Sequence, residues 1–266
     1  MQNNNYILHF IGAGNIANAM ISGLIKSDFP TSNIYVYDKD PVKTTALIDE
    51  LKINKHDELG LIDEGYVFIC VKPVDYPKLS EDIKDKLGKG VYVLSCMAGI
   101  SLDKIEKDFE ENICLRFMPN MLIENASGFI ALTSKSKKLV KDFSNIFSIV
   151  ADIKEIPEDM FDVITATSGS GPAWIYSYIN NLVKAGCKNG LKEEESKAIV
   201  LSLLRGVSKK LTQETDLNTL IEQVASPGGT TEAGLKILEE ENVEKIISDM
   251  ISEATQRSKE LREDSS

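Results

Sequence analysis

The chain has 266 residues, 42% of them hydrophobic, which is enough to bury a substantial core and to build two domains. With 30 basic against 41 acidic residues its net charge is -11, and this argues against nucleic acid or an anionic membrane as a partner, since both select basic patches. No apolar run reaches the length of a membrane span and the start lacks the basic-then-apolar order of a signal peptide, so the expected location is cytoplasmic.

The polar ends, Met1–Asn5 and Arg262–Ser266, are expected to fray. Between them the first element is a buried strand over Tyr6–Ile11, and it runs directly into Gly12-Ala13-Gly14-Asn15-Ile16-Ala17, which opens an apolar-periodic helix through Lys26. This is the dinucleotide fingerprint with alanine in its third small position: Gly12 for the tight turn, Gly14 for close approach of backbone to a pyrophosphate, Ala17 for helix-to-strand packing. A second strand, Ile34–Tyr37, ends in Asp38, where a carboxylate can accept ribose hydroxyls.

Alternation continues with a helix over Val42–Leu51, a strand over Tyr66–Val71, a helix over Tyr76–Leu87, a strand over Val91–Ser95, a helix over Leu102–Phe109 and a strand over Ile113–Phe117. A strand at Gly128–Leu132 and a helix at Lys137–Val150 complete the pattern. Such alternation predicts an α/β Rossmann domain, a doubly wound, mainly parallel sheet that takes ligands at its strand carboxyl ends. Lys72-Pro73, Ser95-Cys96-Met97-Ala98-Gly99 and Met118-Pro119-Asn120 all fall at those ends.

After Glu158 strand signals stop. Helices are predicted at Met160–Thr167, Pro172–Gly190, Glu193–Thr212, Leu217–Val224, Glu232–Glu240 and Val243–Arg262, with Gly190 as a C-cap. The division expected is therefore a nucleotide-binding domain over 1–156 and an all-α domain over 157–266. Trp174–Ile179 is apolar nearly all round, which predicts burial at a subunit interface. Ahead of the fifth of these helices stands Ser226-Pro227-Gly228-Gly229-Thr230-Thr231: paired glycines let successive N–H groups face one concavity, and the helix start adds its own donors and the positive end of its dipole. A small carboxylate fits there beside a threonine hydroxyl.

The four cysteines, Cys70, Cys96, Cys114 and Cys187, form no Cys-x-x-Cys pair, so neither a disulfide framework nor a zinc site is expected and no metal is implied. They read as small buried apolar residues. His9 and His56 lack a second ligand or triad partner at recognisable spacing and read as structural.

Three separated motifs, Ile11–Ala17, Ser168-Gly169-Ser170-Gly171-Pro172-Ala173 and Ser226–Thr231, together resemble pyrroline-5-carboxylate reductase, in order and over essentially the whole chain. The resemblance implies reduction of 1-pyrroline-5-carboxylate to L-proline, the last step of proline biosynthesis, with NADPH or NADH. It also implies a homodimer, or an assembly of dimers, with active sites between nucleotide domain and dimerisation helices. Carried over, cofactor contacts come from Ile11, Gly12, Ala13, Gly14, Asn15, Ile16, Asp38, Lys39, Cys70, Val71, Lys72, Pro73, Cys96, Met97, Ala98, Asn120 and Gln223. Substrate contacts come from Ser226, Gly228, Gly229, Thr230 and Thr231, with the Thr231 hydroxyl facing the imine nitrogen as the catalytic group.

Departures from the family pattern are Met121-Leu122 for a common Thr-Pro, Asn180 for an acidic residue and Ile221-Glu222 for Lys-Asp, and they bear on the substrate more than on the fold. Three other readings stay open: reduction of a related cyclic imino acid, a β-hydroxyacid dehydrogenase-like enzyme, and a non-catalytic nucleotide-binding relative. Against the second, the dehydrogenase order of lysine then asparagine is reversed here as Asn180 then Lys184.

Overall fold

The structure, a computed structural model, describes residues 6–263. The expected fraying of Met1–Asn5 and of the last three residues lies outside the described residues. The chain forms two compact units, 6–172 with 252–263, and 173–251.

The first unit is built on eight strands: β1 Leu8–Ile11, β2 Ile34–Tyr37, β3 Asn54–Lys55, β4 Tyr66–Ile69, β5 Tyr92–Ser95, β6 Ile113–Pro119, β7 Gly128–Thr133 and β8 Ala151–Glu155. Their order across the sheet is β3-β2-β1-β4-β5-β6-β7-β8. The connecting helices are α1 Asn15–Lys26, α2 Pro41–Leu51, α3 Tyr76–Ile83, α4 Leu102–Asp108 and α5 Lys137–Phe147, followed by α6 Phe161–Ile164 and a π-helical turn over Thr165–Gly169. Because β1 and β4 are buried on both faces, they read as apolar runs without polar alternation, broken only by His9 in β1. Alternate side chains feed two cores: Phe10 and Phe68 lie on one side with Phe117, Phe143 and Phe147, and Ile11, Val67 and Ile69 on the other with Tyr76, Val93 and Phe109. Strand order reverses at β1, so the crevice for a ligand opens at the carboxyl ends of β1 and β4.

The sheet differs from the expected pattern in three places. β7 runs antiparallel to β6, because the connection over 120–127 holds only a 3-10 turn, Met121–Asn125, and is too short for a parallel crossover. Two edge strands carry little apolar signal: β3 is two polar residues, and β8, paired parallel to β7, reads Ala-Asp-Ile-Lys-Glu. The helix predicted through Val150 stops at Phe147 to feed it.

The second unit is all helical: most of α7 Gly171–Lys188, then α8 Glu193–Lys210, α9 Leu217–Val224, α10 Thr230–Glu240 and the first part of α11 Val243–Glu263. Gly190 closes α7 as expected, in a Schellman arrangement with Leu191 N donating to Gly186 O at 3.2 Å and Gly190 N to Cys187 O at 3.1 Å. No residue of α7 is buried within the single chain, and Ile175, Tyr176 and Tyr178 are each more than half exposed.

The end of α11 belongs to the first unit and is held there by polar contacts. Buried Asp162 accepts from Ser258 Oγ at 2.8 Å and pairs with Arg262 Nη1 at 3.0 Å. Arg262, expected in a frayed tail, is thus helical and paired. Nearby Arg116, 1% exposed, reaches Glu158 Oε1 at 2.8 Å and lies over the Phe161 ring.

Candidate active site

Within the first unit, the predicted cofactor residues from Ile11 to Ile16, Asp38, Lys39, Cys70 to Pro73, Cys96 to Ala98 and Asn120 all lie at the carboxyl ends of β1, β2, β4, β5 and β6. Gly12 has φ +106°, and a Cβ there would stand 2.6 Å from the Cys70 carbonyl oxygen, so only glycine lets the chain turn this tightly against β4. Its N–H donates to Tyr37 O at 2.7 Å. Gly14 precedes α1 with no side chain capping that helix, and a Cβ on it would meet nothing within 4 Å. Open space before uncapped helix N–H groups suits a pyrophosphate, so the residues present fit a dinucleotide.

Asp38 is more committed than its position in the sequence suggests. Its Oδ2 accepts from Ala13 N at 2.7 Å and its Oδ1 from Asp40 N at 2.9 Å, so the carboxylate expected at the ribose ties the glycine loop to β2. Lys39 is exposed and its ammonium pairs with Asp75 Oδ1 at 2.5 Å; that hydrogen bond raises its pKa. Pro73–Asp75 form a single 3-10 turn after β4, and Met97 is buried after β5 with its N–H donated to Ser95 Oγ at 3.3 Å.

Asn120 is buried and its amide is used inside the protein. Oδ1 accepts from Leu122 N at 3.2 Å and Phe129 N at 3.4 Å, while Nδ2 donates to Ser168 Oγ at 3.1 Å. It therefore pins the π-helical turn that begins the Ser168–Ala173 motif, a local geometry often found at functional sites. Leu122 supplies an N–H that proline, common there in the family, would lack, so this departure is accommodated by one extra hydrogen bond.

In the second unit, the Ser226–Thr231 loop leads into α10. Gly229 N donates to Ser226 O at 3.0 Å and Gly228, at φ +70°, donates its N–H to Glu232 Oε2 at 2.7 Å. Two of the loop's donors are thus consumed internally, which leaves the N–H groups of Thr230 and Thr231, the first residues of α10, for the anion expected there, and Gly229 brings no side-chain cap. Glu232 was not singled out in the sequence; the signal for it is an acidic residue at the third helical position, able to reach back to the entering loop. Thr230 is exposed and Thr231 half-buried. Thr231 borders an apolar hollow of about 460 Å³ lined by Val207, Leu211, Leu217, Leu220, Val224 and Leu235 among others. Gln223 lies exposed on α9.

Neither histidine belongs to this edge. His9 Nδ1 and His56 Nε2 are 3.0 Å apart, sharing a hydrogen bond that sequence spacing did not reveal, and both rings lie against Tyr35. Among the described residues no group of three or more His, Cys, Asp or Glu side chains is placed to hold a metal ion.

Comparison with known proteins agrees with this arrangement. Residues 158–261 match the family model for pyrroline-5-carboxylate reductase dimerisation, and residues 7–99 match NADP oxidoreductase, coenzyme F420-dependent. The pyrroline-5-carboxylate reductase of Staphylococcus haemolyticus is 32% identical over 96% of this chain and 97% of its own length. Among solved structures, that of Plasmodium falciparum pyrroline carboxylate reductase with NADP bound superposes with a TM-score of 0.87 at 27% identity, over 97% of this chain and 98% of that one. The Coxiella burnetii pyrroline-5-carboxylate reductase gives 0.85 at 28% identity, over 97% and 99%. With the nucleotide edge, the π turn and the Gly-Gly-Thr-Thr helix entry all in place along a chain matched nearly end to end, this protein belongs to the pyrroline-5-carboxylate reductase family.

Proposed function

We propose that the chain reduces the C=N bond of 1-pyrroline-5-carboxylate to give L-proline, using NADPH or NADH. The observation that carries this reading is the uncapped entry of α10, where two N–H groups and the Thr231 hydroxyl stand together with the neighbouring loop donors already satisfied. Thr230 and Thr231 N–H bind the substrate carboxylate, which fixes the ring. The Thr231 hydroxyl donates to the nitrogen of a neutral imine, or accepts the N–H of a protonated one, and either bond orients the ring. No strong acid is needed, because an imine that arrives protonated needs only positioning. The reduced nicotinamide, when bound, supplies the hydride. On the nucleotide side, the Gly12–Gly14 turn and the start of α1 hold the pyrophosphate, and Asp38 holds the adenosine ribose while keeping the loop in register.

The family's dimerisation domain, matched by 158–261, together with the apolar side chains that α7 exposes in the single chain, supports a homodimer, and dimers can assemble further. No described helix is long and apolar enough to cross a membrane, which supports the proposed cytoplasmic location. The test is loss of reduced-nicotinamide absorbance on adding 1-pyrroline-5-carboxylate, with a six-membered cyclic imino acid and a panel of hydroxy acids in the oxidative direction as comparisons. Preferential turnover of the five-membered imine is expected, and turnover of a hydroxy acid alone would overturn the proposal.

A further inference from the structure

We propose that Cys70 and Cys96 are a modification site: a hydroperoxide joins them in a reversible disulfide that weakens dinucleotide binding. The second part rests on the reductase reading above; the first does not. Ile69 pairs with Ser95 in the parallel ladder of β4 and β5, so the next residues, Cys70 and Cys96, continue side by side with their side chains on the same face. Their sulfurs are 3.6 Å apart, and the Cys96 thiol also points at Ile69 O at 3.5 Å. Neighbouring strands lie about 4.8 Å apart, inside the Cα separation a disulfide accepts, so reaching an S–S bond of about 2.05 Å needs the sulfurs to close by roughly 1.5 Å.

The two thiols differ in access. Cys96 is partly exposed and Cys70 buried. Cys96 sulfur therefore attacks the hydroperoxide first: the O–O bond breaks, one oxygen is transferred to give a sulfenic acid, and an alcohol or water leaves. Cys70 sulfur then attacks Cys96 sulfur, the S–O bond breaks, and the hydroxyl leaves as water with the second thiol proton. Two thiols lose two electrons and the hydroperoxide gains them. Burial pushes the Cys70 thiol well up, which slows this second step at neutral pH and quickens it under alkaline conditions.

The consequence for binding follows from what Cys70 touches. Its N–H is bonded to Ile11 O at 2.8 Å, and its carbonyl is the atom against which Gly12 turns. Drawing Cys70 toward Cys96 shifts the wall of the turn that leads to the pyrophosphate donors of α1. By reciprocity, bound dinucleotide shifts the thiol–disulfide equilibrium toward the two thiols.

The experiment treats the full-length protein with hydrogen peroxide, alkylates it, and maps cysteines by mass spectrometry, with NADPH affinity read by fluorescence titration. Expected are a cross-linked peptide pair holding Cys70 and Cys96, a mass loss of two hydrogens, and an NADPH dissociation constant raised at least about tenfold and restored by dithiothreitol. Cys187→Ser should respond like the wild type. Cys96→Ser and Cys70→Ser, each compared with its own untreated state, should show no oxidant-dependent change in affinity. Oxidation without a Cys70–Cys96 cross-link, a cross-link with unchanged NADPH affinity, or an equal loss of affinity in Cys96→Ser would each overturn the proposal. Untreated protein that bound no NADPH would count against the reductase reading, while the cross-link would still be scored by mass alone.

Discussion

Thr231 is the side chain on which the proposed chemistry turns, and Thr231→Val tests its hydroxyl at nearly conserved shape beside the apolar hollow. Loss of one positioned donor is expected to lower turnover by roughly ten- to a thousandfold, toward the mild end if the imine arrives protonated, with NADPH affinity kept; unchanged turnover at saturating cofactor would leave only the backbone cradle. Asp38 is the residue proposed to bear on cofactor choice. Its carboxylate suits ribose hydroxyls and repels a 2′-phosphate, so NADH use is expected to be at least comparable to NADPH use. In Asp38→Ser the ratio of kcat/KM for NADPH over NADH should rise about tenfold, and both values should fall, because Ala13 N–H loses its partner. His9 sets a pH dependence of stability. Burial, then the neighbouring His56, holds its pKa near 4 from an ordinary 6.5. The unfolded chain thus binds the extra proton first: stability is complete above about pH 6.5 and falls, by about 3 kcal/mol, as pH drops toward 4. Urea unfolding between pH 7.5 and 4 should show a shallower slope for His9→Gln than for wild type.

At the scale of elements, the end of α11 is the piece most dependent on a few contacts. Asp162 is 3% exposed at its side chain and Arg262 35%, so the pair is only partly shielded and is discounted accordingly. Asp162→Ala, which also strands Ser258, should cost about 2–3 kcal/mol. Proteolysis should then cut within 252–263 faster than elsewhere. The same docking explains a glycine after β5: a Cβ on Gly99, at φ +76°, would come within 2.9 Å of the backbone of Leu261 and Arg262. The loop that carries Cys96, Met97 and Ala98 therefore leads directly to the residue on which α11 closes.

For the whole molecule, the exposed apolar face of α7 is the feature a single chain does not explain. Ile175 and Tyr178, one helical turn apart, are 55% and 56% exposed. An uncovered surface of this kind marks an interface. Tyr178→Asp should shift the protein from dimer to monomer in light scattering and lower activity in parallel, while the far-ultraviolet circular dichroism of the helices is retained.

Nearly all the helices and the central strands could be read from sequence because each depends on local information: apolar period, glycine at the turn, a cap. The Gly12–Gly14 turn and the Gly228–Thr231 helix entry could be read for the same reason, since backbone that must bend or bare its N–H groups demands particular residues within a few positions. Tertiary structure alone decided what depends on neighbours far along the chain. It reversed β7, because a short connection sets strand direction, and it made strands of β3 and β8, whose polar residues pair only because an edge is offered. It spent Asp38 on Ala13, Asn120 on Ser168 and Gly228 on Glu232, and it paired His9 with His56 and Cys70 with Cys96. Except for Gly228 and Glu232, these partners are 25 to 48 residues apart. Side-chain hydrogen bonds and sulfur contacts at that separation leave no period or spacing in the sequence, so only the packed sheet determines them.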